Sequence, residues 1–342
     1  AGVAGSHIRS QASDGVAAIA GGEVTRADVE RVLEGARAIP VDADRQILHV
    51  LPREYMVDAQ DGIRDPIGMS GVRLGTKVNL VTAATSCVQN VIRCAERCGL
   101  AVADVVLQPL ASAEAVLSDD EKEIGVAVVD IGGGTTDILL YVDGGIAHAS
   151  VIPVGGNHIT FDIARALATT LPEAERIKRC FGTLVGSSAE LAEVFTYSSR
   201  PWADHVDDST VQTGGMRTAT VSRGDLQSLI DARMTSLFAH IAERLERSSL
   251  PQYARRMMVL TGGASQLPGV AEAAAAFFRQ SVVLGHVPEL PGLSAGFSGP
   301  HMAAVAGLVL APPGYHVRAS GPAADAGAQG YLQRVGRWLR GS

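Results

Sequence analysis

Residues 125–145 read "GVAVVDIGGGTTDILLYVDGG", two apolar runs separated by one glycine turn. Neither run alternates with polar residues, so each predicts a strand buried on both faces. Other stretches carry other periods. "EVTRADVERVLEGARAI" (23–39) predicts a helix, with Thr25 and Asp28 suited to a cap and Val29, Val32, Leu33 and Ala36 along one face. "RQILHVLPREYMVD" (45–58) predicts a strand interrupted at Pro52, and "GVRLGTKVNLVTA" (71–83) alternates as a strand does. Helix, strand and strand form a small α+β unit over about residues 7–83. Val3 to Ile8 reads as a strand entered midway, and the first residue is Ala1 rather than Met. Both features imply residues ahead of Ala1.

Residues 86–98 predict a helix bearing cysteines, stopped by Gly99 at a C′ position. "DVVLQPLASAEAVL" (104–117) reads as strand, turn and helix. Residues 157–180 are helical, with Pro172 breaking that helix or opening a second one. Residues 182–222 are polar and rich in turn formers, and no element is assigned there. A long helix follows at about 223–247. "RMMVLTGGASQLPGV" gives strand, glycine turn and helix, then a short strand near 281–284 and an apolar helix at 299–311. Residues 312–330 are rich in Pro, Gly and Ala, the composition of a flexible linker.

Composition narrows the function. The chain has 342 residues, 46% hydrophobic and 4% aromatic, enough for two or more domains with their own cores. A net charge of −7 argues against nucleic-acid binding through bulk electrostatics. No apolar run reaches the ~18 residues that a spanning helix needs. Cys87, Cys94, Cys98 and Cys180 form no CxxC pair, and the first three share a helical face, which reads as packing in a reduced chain. Nine histidines are scattered without metal-ligand spacing.

The candidate chemistry lies in two glycine turns. In "VVDIGGGTTD" (128–137), Asp130 ends a buried strand and Gly132, Gly133 and Gly134 follow, then Thr135 and Thr136. Glycines at a strand end let backbone amides approach an anion, and a threonine hydroxyl adds a donor. Asp130 is placed to hold Mg²⁺ through water beside the phosphates and is the candidate catalytic group, beside residues that would precede Ala1. The spacing is neither a P-loop nor a dinucleotide fingerprint. In "VLTGGASQLPG" (259–269), Gly262, Gly263 and Ala264 offer a flat surface for a purine or its ribose. Either turn alone also fits an ordinary connection. The pair is informative.

These residues carry a resemblance. "VVDIGGGTTD" resembles the second phosphate motif of the actin-like ATPase superfamily, and "VLTGGASQLPG" resembles its adenosine motif. "ASAEAVL" (111–117) and "AAVAGL" (303–308) resemble its two connecting helices. "EAERIK" (173–178) resembles the helix that touches the nucleotide, which implies Glu175 on the ribose hydroxyls and Lys178 along the adenine. Within the superfamily, "ERCGL", the stretch 48–74 and the basic end of the chain resemble the FtsA family of bacterial cell-division proteins.

The resemblance implies an α/β, ribonuclease H-like actin fold of two lobes binding ATP and Mg²⁺. Residues 1–6 would be a remnant of the first lobe, 7–83 an inserted FtsA-type interaction subdomain, and 84–122 the first lobe continued. Residues 123–155 would carry the phosphate motif in the second lobe, 156–224 a tip subdomain, 225–296 the adenosine motif, and 297–311 a closing helix. A linker (312–329) and an amphipathic helix (330–342) would end the chain. The family's first phosphate loop would precede Ala1. The implied partners are FtsZ, further copies in a filament, and later division proteins. The implied place is the inner face of the bacterial membrane at the division site, with hydrolysis slow at most. The alternatives on the same fold are a sugar-kinase-like enzyme and a PilM-like pilus assembly ATPase.

The tail is legible on its own. On a helical wheel Tyr331, Leu332, Val335, Trp338 and Leu339 fall within roughly 120° of arc, with Arg334, Arg337 and Arg340 opposite. A one-sided apolar helix with a basic back suits an anionic membrane interface. Half-burying five apolar side chains gains about 5–7 kcal/mol, and three arginines near anionic lipid add about 1 kcal/mol each. Ordering the segment costs on the order of 12 kcal/mol before helix hydrogen bonds offset part of it. A single tail therefore binds weakly, and a filament of tails binds tightly.

Overall fold

The computed structural model describes residues 1–199, 217–248, 256–288 and 297–310. A five-stranded mixed sheet forms its centre. Strands β7 (Val126–Ile131), β8 (Thr136–Val142) and β9 (Gly145–Ile152) run antiparallel, and β12 (Met257–Thr261) and β13 (Ser281–Leu284) add in parallel beside β7, in the order β13-β12-β7-β8-β9. Every residue of β7 and β8 is buried, as their unbroken apolar runs predict.

Side chains divide between the two faces with a period of two. Ala127, Val129, Ile131, Ile138, Leu140 and Leu260 meet α5 (Gly156–Ala166), α6 (Leu171–Phe181), α8 (Arg223–Arg247) and α9 (Val270–Phe278). Val126, Val128, Leu139, Tyr141 and Val259 meet α3 (Gln108–Val116), the two-stranded β1 (Gly2–Val3) and β6 (Val106–Leu107), and α2 (Thr85–Arg97). Each such Leu or Ile fully buried contributes about 1.5–3 kcal/mol. Pro172 lies in the first turn of α6, where its missing N–H costs nothing, so the predicted break is the start of a second helix.

A separate four-stranded antiparallel sheet holds β2 (Arg9–Ala18), β5 (Arg73–Ala84), β3 (Arg45–Val57) and β4 (Gln60–Ile63), in the order β2-β5-β3-β4. Helix α1 (Arg26–Arg37) covers one face, and its Thr25–Asp28 capping box forms as predicted. Two differences from expectation have physical causes. Strand β2 is absent from the hydrophobic pattern because small residues lie under α1, with Ser13 donating to the Ala36 carbonyl and Ala17 buried. Pro52 does not interrupt β3; the strand accommodates it with a register shift between Pro52 and Glu54.

Gly99 takes φ 75° and stops α2, with the Gly99 and Leu100 amides donating to the Glu96 and Ala95 carbonyls. Packing does not explain the cysteines on this helix: Cys94 and Cys98 are exposed and Cys87 half-buried, because only Val88 of α2 reaches full burial. The stretch left unassigned holds the short α7 (Ser188–Leu191) and an antiparallel pair, β10 (Val194–Ser199) and β11 (Arg217–Ser222). A capped short helix, α4 (Asp119–Ile124), precedes β7. The two stretches read as connecting helices cross as α3 and α10 (Ala303–Leu310). A Cβ on Gly307 would come within 1.6 Å of the Ala111 carbonyl oxygen, so only glycine permits the approach. No described helix is long and apolar enough to cross a membrane.

Candidate functional site

Asp130 is the penultimate residue of β7 and is Cα-paired with Asp137 near the start of β8. Cross-strand partners point to the same side of a sheet, here the side of α3. Ser112 on α3 donates to Asp130 Oδ2 at 2.6 Å. Thr135 donates to Asp137 Oδ2 at 3.1 Å, while Asp137 Oδ1 is buried without a partner. Burial raises the Asp130 carboxyl above the usual aspartate range, against the pull of the Ser112 hydrogen bond. Burial, then the neighbouring Asp130, pushes Asp137 up to about 7. Two buried carboxyls on one face of a strand pair, one of them with an unpartnered oxygen, suit a shared proton or a cation.

The glycine loop is fused to the start of α5. The Gly156 amide donates to the Gly132 carbonyl at 2.9 Å, and the Asn157 amide to the Gly133 carbonyl at 2.8 Å. Gly133 and Gly134 are exposed, and the amides of Gly133, Gly134 and Thr135 find no backbone acceptor among the described residues. Such a row of free amides, next to a helix N-terminus, favours an anion. Thr136 is turned the other way: fully buried, its hydroxyl donates to the Val154 carbonyl at 2.8 Å.

The second turn leaves β12 beside Asp130. Gly262 has φ +86°, and a Cβ there would stand 2.3 Å from Asp130 Oδ1. Gly263 is exposed and begins a single 3-10 turn that includes Ala264. A Cβ on Gly156 would lie 3.0 Å from the Ala264 Cβ and 3.7 Å from Lys178 Nζ. Three stretches far apart in sequence therefore meet at the start of α5. On α6, Lys178 Nζ is 2.7 Å from Glu175 Oε2 and donates to Thr160 Oγ1 at 2.9 Å and to the Gly156 carbonyl at 3.1 Å.

The described residues that the sequence singled out, Thr136 excepted, thus border one region, at the carboxyl ends of β7 and β12. Sequence reasoning did not single out Asp137, Ser112, Gly156 or Thr160. Asp137 was within reach: a four-residue turn between paired strands sets Asp130 opposite Asp137. Ser112 was not, because only the fold brings α3 under β7. The residues singled out for the membrane, Tyr331, Leu332, Arg334, Val335, Arg337, Trp338, Leu339 and Arg340, lie outside the described residues. Among the described residues no cluster of three His, Cys, Asp or Glu forms a metal-binding group. The carboxylate pair, with an unpartnered oxygen and open amides beside it, fits a hydrated Mg²⁺ on a phosphate better than a cation held by protein alone.

Comparison with known proteins decides the family. A family described as the cell division protein FtsA matches residues 127–307, and one described as the SHS2 domain inserted in FtsA matches residues 5–82. The chain is 41% identical to cell division protein FtsA of Neisseria meningitidis serogroup B over 347 residues, covering 100% of this chain and 81% of that protein. It belongs to the FtsA family.

FtsA of Pseudomonas aeruginosa is 38% identical over 100% of this chain and 80% of its own length, and that of Escherichia coli K12 is 34% identical over 99% and 80%. This FtsA-family chain is accordingly a cell-division protein. Solved structures agree on the fold. MreB5 of Spiroplasma citri bound to ADP superposes with a TM-score of 0.53 at 18% identity, over 67% of this chain and 65% of that one. The PilM–PilN type IV pilus biogenesis complex gives 0.60 at 18% identity, over 91% and 79%. The FtsA-family fold is therefore actin-like. FtsA membership also sets aside the sugar-kinase and pilus-assembly alternatives.

Proposed function

We propose that this chain is an ATP- and Mg²⁺-binding, polymerising adaptor that tethers the FtsZ ring to the cytoplasmic face of the bacterial membrane at the division site. The observation that carries the reading is the convergence of Asp130, Asp137, the 132–134 loop, the start of α5, Glu175 and Ala264 on one region. In it the open amides of the glycine loop, Gly133 to Thr135, receive the phosphates, and the α5 N-terminus holds that loop in place through the Gly156 and Asn157 amides. Glu175 receives the ribose, and Gly262, Gly263 and Ala264 lie against the base. Mg²⁺, when bound, offsets the phosphate charge and keeps both aspartates ionised. Ser112 orients Asp130 for this, and Gly262 lets the second turn close over it. Hydrolysis is slow at most, and the nucleotide serves assembly of a filament.

Residues 7–83 form the surface that recruits later division proteins, and 156–224 the tip that meets FtsZ. The tail at 330–342 lies on anionic lipid, reached through the linker at 312–329. The family membership and the one-sided apolar pattern of the tail support this division of labour. Co-sedimentation tests it: FtsZ filaments should pellet with anionic vesicles only when this chain and Mg·ATP are present. FtsZ remaining in the supernatant under those conditions contradicts the adaptor role.

A further inference from the structure

Thr160 stands on α5 with its side chain buried between α5 and α6, and no sequence motif points to it. Its hydroxyl has one hydrogen and two lone pairs. The short contact to Glu175 Oε2, 2.5 Å against 3.3 Å to the Gly156 carbonyl, assigns the hydrogen to the carboxylate. A lone pair then accepts from Lys178 Nζ at 2.9 Å.

An ammonium has three donors. Those of Lys178 are all engaged, with Thr160 Oγ1, the Gly156 carbonyl and Glu175 Oε2 within 3.1 Å. None remains for a base. Lys178 is therefore a brace between α6 and the start of α5, and only its aliphatic stem is left to lie along a ring. The brace holds one oxygen of Glu175, while Oε1 has no partner among the described residues and the side chain stays 42% exposed. Burial raises the Glu175 carboxyl, but the hydrogen bonds from Lys178 and Thr160 outweigh it and hold the group below the usual glutamate range. The carboxylate is ionised, fixed by one oxygen and open at the other, the arrangement that accepts a hydroxyl pair.

We infer that Thr160, with Lys178, is the positioning residue that sets Glu175 to read the ribose hydroxyls, so that sugar discrimination in this site depends on a threonine that touches no nucleotide. The inference rests on the proposed ATP site. Without the hydroxyl, Glu175 is held by Lys178 alone and is freer to turn toward solvent, and phosphate and base contacts are untouched.

The test is competition binding of Mg·ATP, Mg·2′,3′-dideoxy-ATP and Mg·GTP to the parent chain and to Thr160→Val, Thr160→Ser and Lys178→Ala. The parent should favour ATP over the dideoxy compound about tenfold, one hydrogen bond to a charged group. Thr160→Val should bring that ratio to about one while the ATP-to-GTP ratio holds. Thr160→Ser should restore the ribose ratio, and Lys178→Ala should lower it. A ribose ratio unchanged in Thr160→Val overturns the inference alone, as does a parent that binds ATP without sensing the hydroxyls. A parent that binds no nucleotide overturns the ATP reading itself, and the positioning role with it.

Discussion

The carboxyl groups of Asp130 and Asp137 are held on one face of the β7–β8 hairpin by strand register, both buried, with Asp137 Oδ1 unpartnered. The relationship follows from backbone pairing alone, so it persists whether or not a cation is bound. Its electrostatic cost is largest in the metal-free chain.

That cost gives a pH dependence. The Asp137 carboxyl ionises near 3.8 when unfolded and near 7 when folded. Between those values the folded chain holds the extra proton, so the Asp137 contribution to metal-free stability falls as pH rises from about 4 to about 7; burial raises Asp130 as well and acts in the same direction. The span corresponds to on the order of 4 kcal/mol. Asp137→Asn should flatten the fall and melt higher than the parent at pH 8 without divalent metal. Chemical denaturation across this range checks it. Parallel profiles for the two proteins would refute the prediction.

Gly307 fixes how closely α10 crosses α3. Gly307→Ala places a methyl against the Ala111 carbonyl, at 1.6 Å before anything moves. The helices must part, at a cost of about 1–3 kcal/mol, and Ser112 on α3 moves with them away from Asp130. Both the denaturation midpoint and Mg·ATP affinity should drop. An unchanged midpoint would mean that the crossing is not tight.

The tail lends itself to a paired comparison. Under the proposed membrane role, Trp338→Glu puts a charge among the apolar residues of the tail and should release the chain from anionic vesicles at every salt concentration. Arg334→Glu alters attraction only, so its effect should be milder and high salt should mimic it. Sedimentation with vesicles at low and high salt separates the two. Parent-like binding by Trp338→Glu removes the tail from the anchoring role.

The legible parts of the fold were those whose burial is uniform or strictly periodic. The β7 and β8 runs, the α1 cap and the Gly99 stop follow from local chemistry that no distant contact overrides. Strand β2 and the β10–β11 pair escaped because their residues are small or polar, and what makes them strands is a partner elsewhere in the chain. The site divides in the same way. Asp130 and the glycines stand in one contiguous motif. Ser112, Gly156 and Thr160 matter only because α3 and α5 are brought to the ends of β7 and β12, a relation that spacing along a sequence does not encode. Lys178 shows a third case: its position was readable, but the saturation of its three donors was not.

The central claim is that Asp130 anchors a Mg·ATP site. Titration calorimetry of Mg·ATP into the parent chain and into Asp130→Ala tests it most directly. The account predicts at least tenfold weaker binding by the variant, about 1.4 kcal/mol or more, with the effect confined to buffers containing Mg²⁺. Equal affinity of the two proteins for Mg·ATP would contradict it.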